Sequence, residues 1–184
     1  MPYSIFFDRY SKRAYLDKDI PKESLDRIFE IIRWTPSCAN KQPWRIIFVQ
    51  DKAQHEKLSS AFSKGNAWAA KAPVLVVICA RESDDYSRED DPVKYYQFDS
   101  GMATLSLLLG AVQEGLMGHP MAGYDAPGVK KALDIPDEYH VLCVVSLGYE
   151  GPIDLLDERT RAKDESPRVR KEISEIISMD KFSF

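Results

Sequence analysis

The sequence has few cysteines and histidines and no long apolar run. Its 3 cysteines form no C-x-x-C pair, and its 3 histidines stand far apart, so no metal-ligand spacing occurs. The longest strongly apolar stretch, residues 102–112, is too short to cross a bilayer, which takes about 20 residues. We therefore expect no metal site and no membrane span. Cys79 and Cys143 lie inside apolar runs and are interpreted as core residues, and reduced thiols favour a cytoplasmic location.

Several common nucleotide-binding and catalytic motifs are also missing. No G-x-G-x-x-G follows a predicted strand, and neither G-x-x-x-x-G-K-[ST] nor G-x-S-x-G occurs. These absences argue against a dinucleotide-binding domain and against a P-loop domain. The N-terminus shows no basic segment followed by an apolar one, so no signal peptide is predicted.

The charge balance argues against polyanionic partners. With 25 basic and 29 acidic residues the net charge is −4, so neither nucleic acid nor an anionic membrane is expected as the main partner. The 184 residues are enough for one domain with a substantial core. A composition of 44% apolar and 29% charged residues is typical of a globular chain. Residues 1–184 are therefore predicted to form a single domain.

Periodicity and turn residues predict a mixture of helices and strands. Helices are predicted over residues 3–10, 21–35, 53–64, 95–114 and 126–133, the last with Asp125 as N-cap. Strands are predicted over 45–49, 74–79 and 140–146. Residues 81–92 and 154–167 are predicted as polar connections, and 173–177 as a last extended piece that could join a partner's sheet. This order indicates an α/β or α+β fold with helices on both faces of a sheet.

Basic residues gather near both ends of the chain. Arg9, Ser11 and Arg13 alternate, as do Arg168 and Arg170, so in extended backbone each set lies on one side. Guanidinium groups match phosphate oxygens, so the two sets together would suit a dianionic phosphate. From charge alone, however, a solvated basic face is the commoner explanation.

Two further segments combine small residues with backbone-shaping ones. Residues 35–44 read T-P-S-C-A-N-K-Q-P-W, in which two prolines fix the backbone and small side chains leave room for a flat ligand. This loop could equally be a helix-to-strand turn. Residues 115–124 contain Gly118 and Gly123, where backbone could approach a ligand closely. The alternative there is a helix C-cap followed by a turn, which Gly115 or Gly118 would serve.

Five segments in order resemble the nitroreductase family along nearly the whole chain. Residues 9–15 (R-Y-S-K-R-A-Y) resemble its N-terminal R-x-S-x-[RK]-x-aromatic signature, and residues 35–44 resemble its [TS]-P-S-x-x-N-x-Q-P-W signature closely. Gly65-Asn66 with Ala72-Pro73, the turn 121–125 (M-A-G-Y-D) and the C-terminal 167–171 (P-R-V-R-K) are also similar. Each match alone would be weak, but five in the right order identify the chain as a member of this family.

The resemblance implies a fold, a cofactor and a partner. The expected fold is α+β (α/β-like), with a central, mostly antiparallel sheet flanked by helices. The expected assembly is an obligate homodimer with an exchanged C-terminal extension and FMN at the interface. NADH or NADPH would be the reductant and a nitroaromatic, a quinone or a similar small molecule the acceptor, in a ping-pong reaction in which the cofactor does the hard chemistry.

The resemblance also implies residue roles, all of them contacts to the cofactor. The phosphate and ribityl chain would be held by Arg9, Ser11, Arg168 and Arg170, with Tyr10 in the same segment. Arg13 would lie near N1 and the O2 carbonyl, where positive charge favours the anionic reduced flavin. The other subunit would contribute Pro36, Ser37, Cys38 and Asn40. The backbone around Met121, Ala122 and Gly123 would face N5 and O4, and Asn66 would contact the pyrimidine edge. No catalytic side chain and no metal ligand is implied.

The sequence departs from the family pattern at three places. Ala122 stands where many members carry Glu, and Cys38 stands where Ser is frequent; we interpret Cys38 as a packing contact. The connection 81–92 is short and acidic where other members have a long helical insertion. Two other functions therefore stay open: a flavin- or ligand-binding module without turnover, and a same-fold enzyme for dehalogenation or flavin cleavage. Bulky residues closing the nicotinamide face would favour the module, and the aromatic candidates are Tyr10, Trp68, Tyr124 and Phe182.

Overall fold

Seven consecutive apolar residues place one strand at the centre of the sheet. Strand β2, Val74–Ala80, is buried over its whole length. It pairs antiparallel with β1, Trp44–Val49, on one side and with β4, His140–Gly148, on the other. Strand β3, Met117–Met121, pairs antiparallel with the far side of β4, giving the order β1-β2-β4-β3. The computed structural model describes residues 4–184.

Helices cover both faces of this sheet, as the sequence predicts. Helices α2, Lys22–Arg33, and α4, Tyr95–Gln113, enclose one core cluster with the side chains of Val74, Val76 and Ile78. The other face carries α3, Lys52–Ser59, and α5, Ala126–Ala132, whose Leu58 and Val129 pack against Leu75 and Val77. Asp125 caps α5 by accepting a hydrogen bond from the N–H of Gly128 at 3.1 Å. Among residues 4–184, no helix has both the length and the apolar character that spanning a membrane requires.

The glycine-rich segment after α4 corrects one prediction. It contains a strand, β3, where the sequence predicts a turn, so the sheet has four strands and not three. Gly115 does end the helix, since its φ of 69° lies in the left-handed region. Pro120 is tolerated in β3 because the strand lies at the sheet edge, where its missing N–H faces away from β4. The strand was not predicted because Gly118 and Pro120 both have low strand propensity.

The ends of the chain also differ from prediction. Residues 158–164 of the predicted connection form helix α6, Glu158–Asp164, because Asp157 accepts a hydrogen bond from the N–H of Thr160 at 3.0 Å and caps it. Residues 173–177 are not extended; Ile173–Glu175 forms a 3₁₀ turn. The first helix, α1, is Ser4–Asp8, and Tyr3 of the predicted helix lies outside the described residues. The predicted helix 53–64 is shorter, since α3 ends at Ser59.

The segment that follows α1 is pinned to the end of β4. The hydroxyl of buried Tyr15 lies 2.8 Å from Ser146 Oγ. Gly151 donates its N–H to the carbonyl of Ala14 at 2.9 Å. A Cβ at Gly151 would stand 2.7 Å from the backbone carbon of Tyr15, so only glycine fits there. These contacts fix the position of the basic segment 9–13 relative to the sheet.

Candidate functional site

The two ends of the chain meet at a cluster of three arginines, Arg9, Arg168 and Arg170. Burial lowers the pKa of Arg9, and the positive charges of Arg168 and Arg170 lower it further, so the three guanidinium groups are close neighbours. Within residues 4–184 none of the three forms an ion pair with a carboxylate. Uncompensated positive charge of this kind favours an anion, and it suits a phosphate group.

Arg168 also binds backbone carbonyls at the end of α1. It donates Nη1 to the carbonyl of Phe7 at 2.6 Å and Nη2 to the carbonyl of Arg9 at 3.0 Å. Its guanidinium carbon lies 4.7 Å from the centre of the Tyr10 ring. Arg168 therefore caps the last carbonyls of the helix and stacks on an aromatic face, which holds its charge in place.

Two side chains next to Arg9 complete this cluster. Arg9 donates Nη1 to Ser11 Oγ at 3.1 Å. The hydroxyl of Tyr10 donates to the carbonyl of Ser166 at 3.4 Å. The structure therefore brings Arg9, Tyr10, Ser11, Arg168 and Arg170 together from opposite ends of the chain, with a hydroxyl beside the guanidinium groups.

Arg13 stands apart from the arginine cluster and has a carboxylate partner. Its Nη1 lies 2.8 Å from Oδ1 of Asp164, the last residue of α6, and its backbone N–H donates to Oδ2 of Asp164 at 3.2 Å. The Arg13 guanidinium carbon also lies 5.6 Å from the Trp68 ring centre. Arg13 and Trp68 line a groove of about 1150 Å³, and Arg13 is the one predicted site residue in its walls.

His119 contacts the basic segment 9–13 through Lys12. Its Nδ1 lies 3.0 Å from the carbonyl of Lys12, and its ring centre lies 4.5 Å from that of Trp68. Burial lowers the pKa of His119 to about 4. The imidazole is therefore neutral near neutral pH and acts as a hydrogen-bonding brace, not as an added positive charge.

The loop between α2 and β1 has an unusual backbone. Three of its residues have φ in the left-handed region, Ala39 at 47°, Asn40 at 54° and Gln42 at 49°. Such conformations cost roughly 1–3 kcal/mol each and cluster at ligand clamps. Hydrogen bonds hold the loop: Gln42 donates its N–H to Ser37 Oγ at 2.9 Å and its Nε2 to Asn40 Oδ1 at 3.0 Å. Pro36 and Asn40 are exposed, while Ser37 and Cys38 are half-buried.

A buried acid anchors this loop to α4. Asp99, only 1% exposed, accepts the N–H of Cys38 on Oδ2 at 2.7 Å. Asp85, from the acidic connection 81–92, is 9% exposed and lies against Asp99. Burial, together with the negative charge of Asp99, raises the pKa of Asp85. The positive charge of Lys41 acts against this shift. The Oδ2 of Asp85 meets no N–H or O–H donor among the described residues. Ionising Asp85 is therefore unfavourable in the folded chain, because its carboxyl is buried near the negative charge of Asp99.

The turn after β3 is held from behind by Asn66. Asn66 donates Nδ2 to the carbonyl of Gly123 at 3.1 Å, and Ser63 donates its N–H to the same oxygen at 3.0 Å. A Cβ at Gly123 would stand 2.6 Å from Asn66 Nδ2, so a larger residue there would push the Asn66 side chain from its place. Ala122 is exposed, whereas the side chain of Met121 is buried and leaves only its backbone for a ligand.

The predicted site residues fall into separate groups within one protomer. Among residues 4–184, no hydrogen bond or ion pair joins the loop 36–42 to the arginine cluster. The structure therefore shows no direct polar contact between these two groups of predicted site residues. The contribution of Pro36, Ser37, Cys38 and Asn40 to a neighbouring copy stays a prediction.

Sequence reasoning missed the acids and the aromatic braces. Asp99 had a usable signal, because a carboxylate inside an otherwise apolar helix needs a partner. Asp164 and His119 had none, since their contacts join distant parts of the chain. Within the described residues, no group of three His, Cys, Asp or Glu side chains is placed to bind a metal ion.

The chain is similar to several known proteins over most of its length. A family model described as the nitroreductase family matches residues 7–67 and 63–149. A protein of Archaeoglobus fulgidus, named as a candidate NADH dehydrogenase/NAD(P)H nitroreductase, is 32% identical over 149 residues, 79% of this chain and 83% of that protein. A crystal structure described as an oxidoreductase containing FMN has a TM-score of 0.87 and 29% identity, covering 97% of this chain and 91% of that one. A nitroreductase family protein of Clostridium difficile 630 has a TM-score of 0.80 and 26% identity, with 97% of each chain covered.

Replacing Asp85 tests whether its buried carboxyl destabilises the fold when it ionises. The raised pKa of Asp85 means that its contribution to stability is complete below about pH 4, the ordinary value for Asp, and is lost as the pH rises through the folded-state pKa. Asp85→Asn keeps a donor toward Asp99 at every pH. We expect its thermal unfolding midpoint to exceed that of the wild type by a margin that grows from about pH 4 to neutral pH.

Thermal unfolding followed by circular dichroism across this pH range measures the difference in midpoint between Asp85→Asn and the wild type. Asp90→Asn is the control, because Asp90 is an exposed acid of the same connection that pairs with Arg88, and it should bring no gain at neutral pH. A difference in unfolding midpoint between Asp85→Asn and the wild type that is the same at all pH values would contradict the raised pKa of Asp85.

Proposed function

The chain belongs to the nitroreductase family, and from this membership we propose that it is an FMN-dependent oxidoreductase that transfers hydride from NADH or NADPH to a small-molecule acceptor. The observation that carries the proposal is the arginine cluster of Arg9, Arg168 and Arg170, which joins the two ends of the chain and has no carboxylate partner within residues 4–184. A related structure is described as an oxidoreductase containing FMN. A nitroaromatic or a quinone is the acceptor class to test.

The arginine cluster and Ser11 suit the phosphate of FMN. A phosphate monoester is a dianion with several acceptor oxygens, and planar guanidinium groups meet those oxygens in pairs. Among the described residues, Arg170 donates only to the carbonyl of Val169, the residue before it, so most of its donors are available for a ligand. Ser11 Oγ already accepts from Arg9 and still has a proton to donate. The positive charge of the arginine cluster and the available donors of Arg170 and Ser11 fit the phosphate of FMN.

The remaining predicted residues would orient the ring system. When bound, FMN supplies the two-electron redox chemistry. The exposed turn at Ala122, held by Asn66 and Ser63, would offer its backbone to the ring. Arg13 would offer a guanidinium to the ring, as the family resemblance implies. The nicotinamide and the acceptor then use the same open face in turn, a ping-pong order that needs no nucleophilic side chain.

The thiols take no part in this scheme. Burial raises the pKa values of Cys79 and Cys143 to about 11, so both are protonated at neutral pH and pack as small apolar side chains. Cys38 is half-buried and is held through its backbone N–H by Asp99. We assign Cys38 a packing role in the loop that faces the cofactor.

A homodimer with an exchanged C-terminal tail would complete the site. The tail exposes seven large apolar side chains, which are Val169, Ile173, Ile176, Ile177, Met179, Phe182 and Phe184. The outer edge of β1 has no strand partner among the described residues, and beside it lies an apolar pocket of about 310 Å³. The pocket is lined by Phe29, Ile32, Trp44, Ile46 and Phe48. We propose that the partner's tail covers this edge and pocket, because exposed apolar surface of this extent marks an interface.

The dimer also explains why the site is divided within one chain. Helix α4 exposes Phe98 and Leu105, and Trp34, the residue after α2, is exposed just before the loop 36–42. A partner docked on this surface would receive the loop next to its own arginine cluster. Each FMN would then bind between two copies, with phosphate contacts from one and loop contacts from the other.

Bleaching by a reduced nicotinamide tests the proposed function. Protein purified with added FMN should be yellow, and adding NADH or NADPH without air should remove the colour, which a nitroaromatic or quinone then restores. Absorbance in the visible range measures both steps. Protein that stays yellow with both nicotinamides would be a binding module without turnover, and protein that takes up no FMN would refute the proposal.

Removing charge from the arginine cluster should weaken FMN binding. Charge-assisted hydrogen bonds contribute about 1.5–3 kcal/mol each, so Arg170→Ala should raise the dissociation constant at least about tenfold, and adding Arg168→Ala should raise it further. Isothermal titration of the FMN-free protein measures both. Lys171→Ala is the control, since it removes an adjacent charge outside the cluster and should change affinity much less. Equal affinities for Arg170→Ala and Lys171→Ala would place the phosphate elsewhere.

Deleting residues 172–184 should weaken the dimer and leave the arginine cluster intact. The deletion removes six of the seven exposed apolar side chains of the tail, while Arg168 and Arg170 remain. Sedimentation velocity over a range of concentrations measures the monomer–dimer equilibrium. A truncated chain that dimerises as tightly as the full chain would contradict the exchanged tail.

A further inference from the structure

The pairing of Arg13 with Asp164 is unlike the rest of the arginine site. The carboxylate of Asp164 is 2% exposed, and the Arg13 side chain is 21% exposed. Two contacts bind the acid to this one residue, a 2.8 Å ion pair from Nη1 and a 3.2 Å hydrogen bond from the backbone N–H. An acid held so far from water keeps its charge only beside a cation, so Asp164 and Arg13 compensate each other.

The position of Asp164 indicates that its carboxylate does not stabilise its own helix, α6. It is the last residue of α6, where the carbonyl end of a helix disfavours negative charge. The start of α6 already has its own cap in Asp157. The charge of Asp164 is therefore balanced across the chain, by a residue 151 positions away, and not within the helix.

Arg13 differs from the other three arginines because it has a carboxylate partner, and this difference suggests a role for the Arg13–Asp164 pair. Arg9, Arg168 and Arg170 have no carboxylate partner among the described residues and present full positive charge, as a phosphate requires. Arg13 is the predicted neighbour of the flavin ring, whose charge changes on reduction. A free guanidinium there would favour the reduced ring strongly, whereas a compensated one favours it less.

We propose that Asp164 is a positioning residue that holds Arg13 against the flavin and limits how strongly Arg13 favours reduced over oxidised FMN. This inference rests on the proposed function. The Trp68 ring, 5.6 Å from the guanidinium carbon, restricts Arg13 from its other side. Arg13 thus keeps a fixed place while Asp164 sets its effective charge.

The test is the ratio of the dissociation constants of oxidised and reduced FMN. Asp164→Asn keeps the size of the side chain and an oxygen for Nη1, but it removes the negative charge. We expect reduced FMN to be favoured at least about tenfold more than in the wild type, which for a two-electron couple is a rise in midpoint potential of about 30 mV. Equilibration with a reference dye measures the potential, and titration of oxidised FMN gives the affinity.

A matched control separates this effect from a general change of charge. Glu150→Gln also removes one negative charge from an ion pair in this region, because Glu150 lies 3.3 Å from Nζ of Lys12, next to Arg13. Its midpoint potential should stay close to that of the wild type. A shift of the same size in Glu150→Gln and Asp164→Asn would overturn a specific role for Asp164.

A double variant keeps the inference testable if Asp164→Asn folds poorly. Arg13→Met with Asp164→Asn removes both charges and leaves no buried acid without its cation. Its midpoint potential should be near that of the wild type, because the two charges that it removes compensate each other. A midpoint potential at least about 30 mV below that of the wild type would show that Asp164 does not limit the effect of Arg13 and only ties the chain ends together.

The outcomes also distinguish this inference from the proposed function. Wild-type protein that binds no FMN, or is not bleached by either nicotinamide, refutes the function itself. Wild-type protein that is bleached normally, with an unchanged potential in Asp164→Asn, refutes only the role given to Asp164.

Discussion

The site depends on one constraint, that positive charges from opposite ends of the chain must lie together. Arg9, Arg168 and Arg170 repel one another, and burial of Arg9 adds to the cost. Neutral contacts offset this repulsion: Arg168 binds the last carbonyls of α1, and the Tyr10 hydroxyl binds the carbonyl of Ser166. The N-terminal segment is in turn fixed to β4 through Tyr15 and Gly151. The sheet therefore acts as the frame on which both ends are held for an anion.

Much of this arrangement could be predicted from the sequence, and the failures have physical causes. The apolar run of β2 and the periodicity of α2 and α4 dictated the layers, since burial decides those elements. Strand β3 was missed because Gly118 and Pro120 are poor strand formers that an edge position tolerates. The arginine cluster was predictable from residue type together with the family resemblance. The partners Asp164, Asp99 and His119 were not, because a long-range contact leaves no local pattern in a chain.

Two buried acids show how the fold organises its polar surface. Asp164 compensates Arg13 at one part of the site, and Asp99 holds the backbone of Cys38 at another. In both cases the acid contacts a residue that is expected to face the cofactor. Asp99 also supports a loop in which Ala39, Asn40 and Gln42 have φ in the left-handed region. These acids are therefore expected to control geometry and charge, while contact with the ligand falls to the residues that they hold.

The proline in β3 has a consequence for how copies of the chain associate. A sheet with two open edges can add strands at both ends and so extend into a fibre. Here the outer edge of β3 lacks the N–H that Pro120 cannot supply, whereas the outer edge of β1 keeps its backbone donors. Growth is thus permitted at one end of the sheet and hindered at the other. Mutual exchange between two such molecules uses up both permitted edges at once, which favours a closed pair over an open polymer.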